Sequence, residues 1–421
     1  MKTIALRLYG KSDLRLEEFE LPAIKEDEML VKVVSDSLCM SSYKSATQGG
    51  DHKRVPDNVS EAPTIIGHEF CGEILEVGEK YKGEYSAGQK FALQPAMKDT
   101  HEAAGYSFPY IGGNSQYGIV PRCYIEQGCV LPYERDSFFQ GSLVEPISCV
   151  IGAVHASYHT ARGVYEHLMG IRENGKTAAL ASCGPMGLAL VDYLLHCDRK
   201  PSLLTVTDID DAKLKRAYEL LPPEKAAKQG VKLVYMNTSE ASDPVNALRS
   251  TSDGSGFDDV FVFAPVESLV EQGDAILGYD GCLNFFAGPT DKAFSAKFNF
   301  YDVHYNATHI VGTSGGNTDD MLEALSLIEA GKIDPAILIT HIGGLDAAAE
   351  TTLNLPNIPG FKKLIYNWIS MPLTAISDFE EKGKTDPLFK ELARICDKNN
   401  GLWCAEAEKY LLGNAKELSL G

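Results

Sequence analysis

A short apolar strand, followed at once by a glycine-containing turn and an apolar helix, is the feature that most constrains how this sequence can fold. The strand covers residues 177–181, the turn covers 182–187 and the helix covers 188–196. The alternation continues, with strands predicted at 203–207, 231–235, 259–263 and 282–287 and a charged helix at 212–221. Strands that alternate with helices form βαβ units, so this region predicts a doubly wound parallel α/β sheet.

The turn Ser182-Cys183-Gly184-Pro185-Met186-Gly187 has the features of a turn that binds a pyrophosphate. Gly184 lets the backbone approach phosphate oxygens, and Gly187 lets the helix pack closely against the strand. Ser182 departs from the usual pattern, because the first position of G-x-G-x-x-G is normally a glycine. We therefore expect a Rossmann dinucleotide site formed by Ser182, Gly184, Pro185, Met186 and Gly187.

An acidic residue ends the second predicted strand, about 20 residues after the turn, where a Rossmann fold holds the ribose of its nucleotide. The carboxylate of Asp208 would accept hydrogen bonds from a ribose diol and repel a 2′-phosphate. It predicts NAD as the preferred cofactor, with NADP as the alternative because Lys213 is close in sequence. A different interpretation is that the turn belongs to a generic α/β fold and that Asp208 only caps a helix.

The residues before this region have another pattern, with short strands such as 30–34 and 70–78 separated by turns containing glycine and proline. They predict a β-rich, barrel-like catalytic domain. After the parallel sheet the chain is expected to return to that domain and to end in helices near 387–397 and 405–412. The predicted organisation is a catalytic domain of residues 1–155 and 311–421 with a C-terminal helical extension, and a dinucleotide-binding domain of residues 156–310.

Composition argues against several classes of partner. The net charge of −19 repels nucleic acid and anionic lipid at long range. No window reaches the ~18 apolar residues of a membrane span, and the first residues lack the apolar run of a signal peptide. The ten cysteines are scattered without a CxxC pair, so reduced thiols and a cytoplasmic location are expected. The expected partner is therefore a small molecule, and neither nucleic acid nor a membrane.

Four residues with metal-binding side chains precede the parallel sheet, namely Cys39, the pair His68-Glu69, and Glu145. A thiolate, an imidazole and a carboxylate are a suitable set for zinc, and three protein ligands leave a fourth position for substrate. Taken singly, a cysteine is usually a small core residue, and a His-Glu pair is usually a surface feature. Together, ahead of a dinucleotide fold, they predict one catalytic zinc bound by Cys39, His68 and either Glu69 or Glu145.

With these landmarks the chain resembles the zinc-containing, medium-chain alcohol and polyol dehydrogenase family. The matching segments are Cys39 with Ser41, Gly67-His68-Glu69, Glu145-Pro146, the turn at 182–187 and Asp208. The resemblance implies a GroES-like catalytic domain, a Rossmann domain, and hydride transfer between a substrate carbinol and a nicotinamide cofactor. It also implies a homo-oligomer, either a dimer or a tetramer.

The resemblance assigns roles to further residues and exposes departures. Ser41 would accept the proton of the substrate hydroxyl and pass it toward Lys44, which stands where relatives end their relay with histidine. Ser42 stands where relatives place an aspartate that orients the metal-bound histidine. Residues 94–110 contain no cysteine, so the structural zinc of the family is not expected. Glu69 is assigned to the catalytic group as well as to the metal ligands.

The substrate is the least constrained prediction. Glu145-Pro146 is similar to sorbitol dehydrogenases, and the length and C-terminal extension are similar to L-sorbose 1-phosphate reductases. This implies interconversion of a polyol phosphate and a ketose phosphate, such as glucitol 6-phosphate and L-sorbose 1-phosphate. Lys53 and Arg54 could bind the phosphate with help from Lys44, or they could form a solvated loop. Competing functions are a dehydrogenase of free polyols or secondary alcohols, a metal-free reductase, and a non-catalytic dinucleotide-binding protein.

Overall fold

Two units make up the protein in a computed structural model that describes residues 1–420. The first unit consists of Met1–Glu145 and Asp334–Gly421, and the second consists of Pro146–Ile333. These boundaries differ from the expected ones at 155/156 and 310/311. The helix Val144–Ala156 runs without a break across the first expected boundary, and the strand His309–Gly312 still pairs within the parallel sheet at the second.

Strands and helices alternate unevenly along the chain, and short 3-10 turns connect several of them. The strands β1 to β19 are Lys2–Gly10, Asp13–Glu20, Met29–Leu38, Thr64–Ile65, Phe70–Val77, Lys90–Leu93, Tyr117–Val120, Val130–Pro132, Tyr158–Ala161, Val164–Met169, Lys176–Leu180, Leu203–Asp208, Lys232–Asn237, Phe257–Val262, Leu277–Phe285, His309–Gly312, Ile339–Gly344, Lys362–Tyr366 and Thr374–Ala375. The helices α1 to α15 are Met40–Gln48, Arg122–Glu126, Phe138–Ser142, Val144–Ala156, Pro185–His196, Asp211–Leu220, Pro223–Lys228, Pro244–Thr251, Glu267–Ala275, Phe300–Tyr305, Thr318–Glu329, Ala348–Asn354, Phe379–Lys382, Pro387–Lys398 and Ala405–Asn414. Within residues 1–420, none of these helices has the length and apolar character to cross a membrane.

The second unit is built on a six-stranded sheet with the order β13-β12-β11-β14-β15-β16, in which every pairing is parallel. Ala178, Leu180 and Val260 of the central strands are fully buried in its apolar core. The strand order runs outward in both directions from β11, which is the doubly wound topology. The predicted parallel α/β fold is therefore confirmed, and the turn at 182–187 lies at the carboxyl end of β11, where such folds bind ligands.

The first unit contains an eight-stranded sheet with the order β19-β17-β18-β3-β5-β6-β8, in which β7 also pairs with β3. A separate three-stranded sheet has the order β2-β1-β4. Strand β3 is antiparallel to β5, β7 and β18, so its end at Leu38 lies beside Lys363 of β18, and Asp36 lies beside Phe70 of β5. The expected β-rich domain is present, and three segments that are distant in sequence, β5, β7 and β18, all pair with β3.

The C-terminal helices belong to the core of the first unit. Helices α14 and α15 and the loop between them contribute Leu392, Trp403 and Leu411 to the apolar cluster that also contains Tyr366 of β18. All four of these side chains are fully buried. The C-terminal extension is therefore an integral layer of this unit and packs directly on a strand of its main sheet.

Candidate active site

Cys39, His68 and Glu69 come together where β3 ends and β5 begins. Cys39 follows the last residue of β3 and stands at the start of α1, while His68 and Glu69 directly precede β5. One ligand atom from each of the three side chains lies within 4.8 Å of the other two. This proximity follows from the antiparallel register of β3 and β5, because a residue after one strand then faces the residues before the other.

A buried aspartate shapes the loop that carries His68. The carboxylate of Asp36 in β3 accepts hydrogen bonds from the backbone N–H of Glu69 at 3.1 Å and from the Asn114 amide at 2.6 Å. Gly67 has a φ of +92°, and a Cβ there would lie 2.6 Å from an Asp36 oxygen. Glycine is therefore required before His68, both for its backbone conformation and for the close approach of Asp36.

The imidazole of His68 is fixed by hydrogen bonds at both nitrogens. Its Nδ1 lies 3.2 Å from the hydroxyl of Ser42, which occupies the position where the family resemblance implied an orienting aspartate. Its Nε2 faces the hydroxyl of Tyr106 at 3.3 Å. Burial lowers the pKa of His68 to about 4, so the ring is neutral at physiological pH, as a metal ligand must be.

The three donors fit a zinc ion in chemistry and in spacing. Tetrahedral zinc with bonds of 2.0–2.3 Å needs donors roughly 3.5 Å apart, so the ligand atoms of Cys39, His68 and Glu69, which lie within 4.8 Å of one another, would need to approach by about 1.3 Å at most. Burial, together with the negative charge of Glu69, raises the pKa of the Cys39 thiol. A thiol held protonated in this way is one that a divalent cation would convert to the thiolate ligand.

A buried lysine neutralises Glu69. The ammonium of Lys362, the first residue of β18, donates to both carboxylate oxygens of Glu69 at 2.5 and 2.7 Å. Burial on its own lowers the pKa of Lys362, but the negative charge and hydrogen bonds of Glu69, with the charge of Glu145, outweigh this effect and raise the pKa. Each carboxylate oxygen has a second lone pair, so the pair with Lys362 leaves Glu69 able to contact a cation.

Glu145, the second residue of α4, is half-buried and lies outside the three-residue cluster. Its charge nevertheless acts on that cluster, because it raises the pKa of Cys39, Lys362 and Tyr106. The geometry therefore places a Glu69 oxygen within 4.8 Å of the ligand atoms of Cys39 and His68 and keeps Glu145 as a neighbouring carboxylate.

An aromatic and cationic group adjoins the cluster. The ring of Tyr106 stacks on His52 with centroids 5.6 Å apart, and the Arg54 guanidinium carbon lies 5.4 Å from the centre of the same ring. Burial, then the charges of Arg54, Lys53 and Lys44, lower the pKa of His52. The charges of three cations therefore act on His52, and the predicted relay residue Lys44 is one of them.

Ser41 contacts this group through a side-chain hydrogen bond with Tyr106, which partly offsets the rise in the pKa of that tyrosine caused mainly by burial. Arg54 itself forms no ion pair within residues 1–420. Tyr106 was not predicted as a site residue, because the only expectation for residues 94–110 concerned the absence of cysteine. It lies in contact with both the predicted relay serine and the predicted metal ligand.

In the second unit, the turn at 182–187 joins β11 to α5. Gly184 precedes the helix, and a Cβ at this position would meet no atom within 4 Å. A Cβ on Gly187 would lie 1.9 Å from the carbonyl oxygen of Ser182, so the close packing expected of this glycine is present. The Ser182 hydroxyl donates to the carbonyl of Ala179 at 2.7 Å, which explains how serine replaces the usual first glycine. Pro185 and Met186 form the first turn of α5.

Asp208 is the last residue of β12 and is buried beside this turn. Its carboxylate accepts hydrogen bonds from the backbone N–H groups of Cys183 at 3.2 Å, Ile209 at 2.9 Å and Asp210 at 3.2 Å. The cap of helix α6 is Asp210, which accepts from Ala212 and Lys213. Asp208 therefore ties the phosphate-type turn to the end of the second strand and is not a helix cap.

A β-rich unit with a Cys-His-Glu cluster and a doubly wound unit with a dinucleotide turn together define a class of nicotinamide-linked oxidoreductases. The family model described as "Alcohol dehydrogenase GroES-like domain" matches residues 25–127, and "Zinc-binding dehydrogenase" matches residues 185–330. The chain belongs to the zinc-binding dehydrogenase family and is an oxidoreductase.

Full-length relatives lie within this family. The chain is 53% identical to mannitol-1-phosphate 5-dehydrogenase of Aliivibrio fischeri, over 98% of this chain and 97% of that protein. It is 51% identical to L-sorbose 1-phosphate reductase of Klebsiella pneumoniae, over 99% of both chains. Among solved structures, 2R,3R-butanediol dehydrogenase from Bacillus subtilis has the same fold, with a TM-score of 0.71 at 22% identity over 87% of this chain and 99% of its own.

Proposed function

We propose that this protein interconverts a polyol phosphate and a ketose phosphate, using one zinc ion and NAD. The observation that carries the proposal is the half-buried Arg54, which lacks an ion-pair partner within residues 1–420 and lies over Tyr106, next to His68. An unpaired guanidinium with Lys53 and Lys44 nearby is suited to a phosphate dianion. The two relatives described above both act, by their names, on sugar or polyol phosphates.

The proposed zinc ligands are Cys39, His68 and either Glu69 or Glu145. Bound zinc would supply a Lewis acid for the substrate oxygen, and bound NAD would accept the hydride from the carbinol carbon. Ser42 hydrogen-bonds Nδ1 of His68, so Nε2, which faces the Tyr106 hydroxyl, is the nitrogen that would bind the metal. Lys362 balances the negative charge of Glu69. We propose that Ser41, hydrogen-bonded to Tyr106, accepts the substrate hydroxyl proton and that Lys44 carries the outer end of the relay.

The position of the phosphate on the substrate is a further part of this proposal. In a ketose 1-phosphate the phosphate is on the carbon next to the carbonyl, whereas a mannitol-1-phosphate 5-dehydrogenase acts at a carbinol four carbons away. The Tyr106 ring centre is 4.9 Å from that of His68 and 5.4 Å from the guanidinium carbon of Arg54, so imidazole and guanidinium are at most about 10 Å apart. We propose the adjacent arrangement, and with it the L-sorbose 1-phosphate type of reaction, because only one aromatic ring separates Arg54 from His68.

Glucitol 6-phosphate tests both parts of the proposal. Hydride loss from C5 gives L-sorbose 1-phosphate, whereas loss from C2 gives fructose 6-phosphate; in each case one NADH and one proton are formed. We expect the C5 product, identified by NMR, and a kcat/KM at least about tenfold higher than with free glucitol, which needs only ~1.4 kcal/mol. The preference for the phosphate ester should decrease with added salt.

Arg54→Gln should remove most of the preference for glucitol 6-phosphate over free glucitol. The control Arg122→Gln, at an exposed position, should retain that preference. Equal kcat/KM values for glucitol and its phosphate would contradict the proposal and indicate a dehydrogenase of free polyols. Formation of fructose 6-phosphate would leave the phosphate specificity intact and refute only the adjacent arrangement.

We also propose that Asp208 gives the enzyme a preference for NAD over NADP. A carboxylate at the end of β12 repels a 2′-phosphate. We expect a higher kcat/KM with NAD than with NADP. Asp208→Asn should reduce the difference in transition-state free energy between the two cofactors by about 1–3 kcal/mol, the scale of a charged hydrogen bond. The control is Asp211→Asn at the exposed first residue of α6, and melting curves should check that each variant is folded. A higher kcat/KM with NADP for the unmodified enzyme would refute this assignment.

A homo-oligomer formed through the second unit is the last part of the proposal. Strand β16 is an edge strand of the parallel sheet, and all six residues of β10 are exposed, including Tyr165 at 97%. The Tyr158 ring stacks on both His167 and His309, so β10 and β16 form one surface. An exposed apolar surface beside an open sheet edge favours pairing with a second copy.

Sedimentation at micromolar concentration should give a dimer or larger species. Tyr165→Glu combined with Ile310→Glu should give a monomer that still binds NADH, because neither residue lies at the dinucleotide turn. The control is Tyr218→Glu, an exposed aromatic residue on α6. A monomeric native enzyme would exclude this assembly.

A further inference from the structure

A buried carboxylate in the C-terminal extension has no role in the chemistry proposed above. Glu408 of α15 is 3% exposed and accepts three hydrogen bonds. The donors are the backbone N–H of Phe138 at 2.6 Å, the backbone N–H of Phe139 at 2.8 Å and the hydroxyl of Tyr366 at 2.7 Å. Trp403 in turn donates to the Tyr366 oxygen at 2.8 Å. A group this deeply buried and fully hydrogen-bonded holds its partners in one arrangement.

Two of those donors belong to the start of α3. The residue before this helix, Ser137, makes no capping hydrogen bond with its side chain, so Glu408 supplies the acceptor that the first N–H groups need. At the other end of α3 the hydroxyl of Ser142 bonds the hydroxyl of Ser35 in β3 at 2.6 Å. Helix α4 and Glu145 follow Ser142 almost immediately. Glu408 thereby fixes the segment that leads to Glu145.

The third donor belongs to the strand that carries the partner of Glu69. Tyr366 ends β18, and Lys362 begins it. Strand β18 pairs with β3 in a register that sets Tyr366 opposite Ser35 and Lys363 opposite Leu38, the residue before Cys39. Glu408 is therefore bonded to both elements that flank the end of β3, where the Cys-His-Glu cluster lies.

We propose that Glu408 is a positioning residue of the metal centre, through which the C-terminal extension sets the placement of Lys362 and Glu145 around Cys39, His68 and Glu69. This inference rests on the proposed zinc site. Partners outside the ligand set commonly change metal affinity by about 10- to 100-fold when they are removed. Glu408 does not contact the proposed ligands themselves. It acts through strand β18 and helix α3, whose positions it fixes.

Zinc affinity is the decisive measurement, by competition with a chromophoric chelator on the full-length protein. Glu408→Gln keeps the size of the side chain but turns an amide NH2 toward one of the three donors. We expect its zinc affinity to fall by about tenfold or more, with kcat lowered and NADH binding unchanged. Tyr366→Phe, which removes a single hydroxyl, should lower zinc affinity in the same direction by a smaller factor.

The matched control is Glu406→Gln, on the same helix but exposed, which should retain the native zinc affinity. Native zinc affinity in Glu408→Gln would overturn the proposal, whatever happens to its melting temperature. If Glu408→Gln fails to fold, the zinc affinity of Tyr366→Phe becomes the test. Native zinc affinity in Tyr366→Phe would then overturn the proposal. If the Cys39→Ala variant retains its zinc, that result would instead refute the proposed metal site on which this inference rests.

Discussion

Cys39→Ala is expected to remove bound zinc and to lower kcat/KM by about 10³-fold or more, because a Lewis acid contributes several kcal/mol to the transition state. Cys39 is the only thiol in the cluster with His68 and Glu69 in residues 1–420, so no neighbouring sulfur can replace it. NADH binding, followed by fluorescence, should persist because the dinucleotide turn belongs to the other unit. Zinc content by elemental analysis is the direct measurement.

The control for this prediction is Cys123→Ser, a half-buried cysteine on α2 that lies outside the cluster. It should keep one zinc per chain and native turnover. Unchanged zinc content in Cys39→Ala would contradict the ligand assignment. Two tightly held zinc ions in the native enzyme would contradict the single site.

Lys362→Met is expected to lower the free energy of unfolding by about 3–5 kcal/mol, the usual cost of leaving a buried charge without its partner. Glu69 and Lys362 are both buried, and both oxygens of Glu69 accept from the same ammonium. The measurement is chemical unfolding of the zinc-free protein. Added zinc should recover part of the loss, since a cation near Glu69 replaces the missing positive charge.

A double variant distinguishes the loss of the Glu69–Lys362 ion pair from the loss of packing. Glu69→Gln combined with Lys362→Met removes both charges and should recover most of the stability, because a buried ion pair is often no better than neutral residues of similar volume. If the double variant is as unstable as Lys362→Met, the loss comes from packing and not from an unpaired carboxylate. A fully stable Lys362→Met would refute the prediction.

Local sequence patterns were sufficient for the parts of the site that are built from neighbouring residues. The turn at 182–187 and the strand ending at Asp208 lie where the pattern placed them, because a βαβ unit fixes both by short connections. The proximity of Cys39 to His68-Glu69 also needs only one antiparallel pairing, that of β3 with β5.

The partners that come from distant segments could not be predicted in this way. Lys362 reaches Glu69 across 293 positions, and Glu408 reaches Phe138 across 270. Two local features are consistent with charged groups inside the unit. Asp36 lies within the apolar strand β3, and a lysine pair at 362–363 begins β18. Sequence periodicity identifies which face of a strand is buried but not which distant strand covers it.

The limits of the two compact units also differ from the boundaries expected from the sequence. A helix that begins in one unit and continues in the next, as α4 does, carries no change of pattern at the junction. Similarly, β16 and α11 continue the alternation of strand and helix beyond residue 310. The segment 313–317 between them contains Gly315 and Gly316, but this turn lies inside the second unit and does not mark its limit.

Because the first unit is assembled from segments on either side of Pro146–Ile333, its order of synthesis is unusual. On the ribosome, the whole inserted unit emerges before β17 and β18 exist, so it can fold while the catalytic sheet is still incomplete. Lys362 and Glu408 are translated after the whole second unit, and until then the nascent chain contains Cys39, His68 and Glu69 without their counter-charge and support. We therefore expect the cluster to reach its final arrangement only after the second unit has been synthesised, and a chain stopped before α15 would carry the donor residues without the helix that packs beside Tyr366.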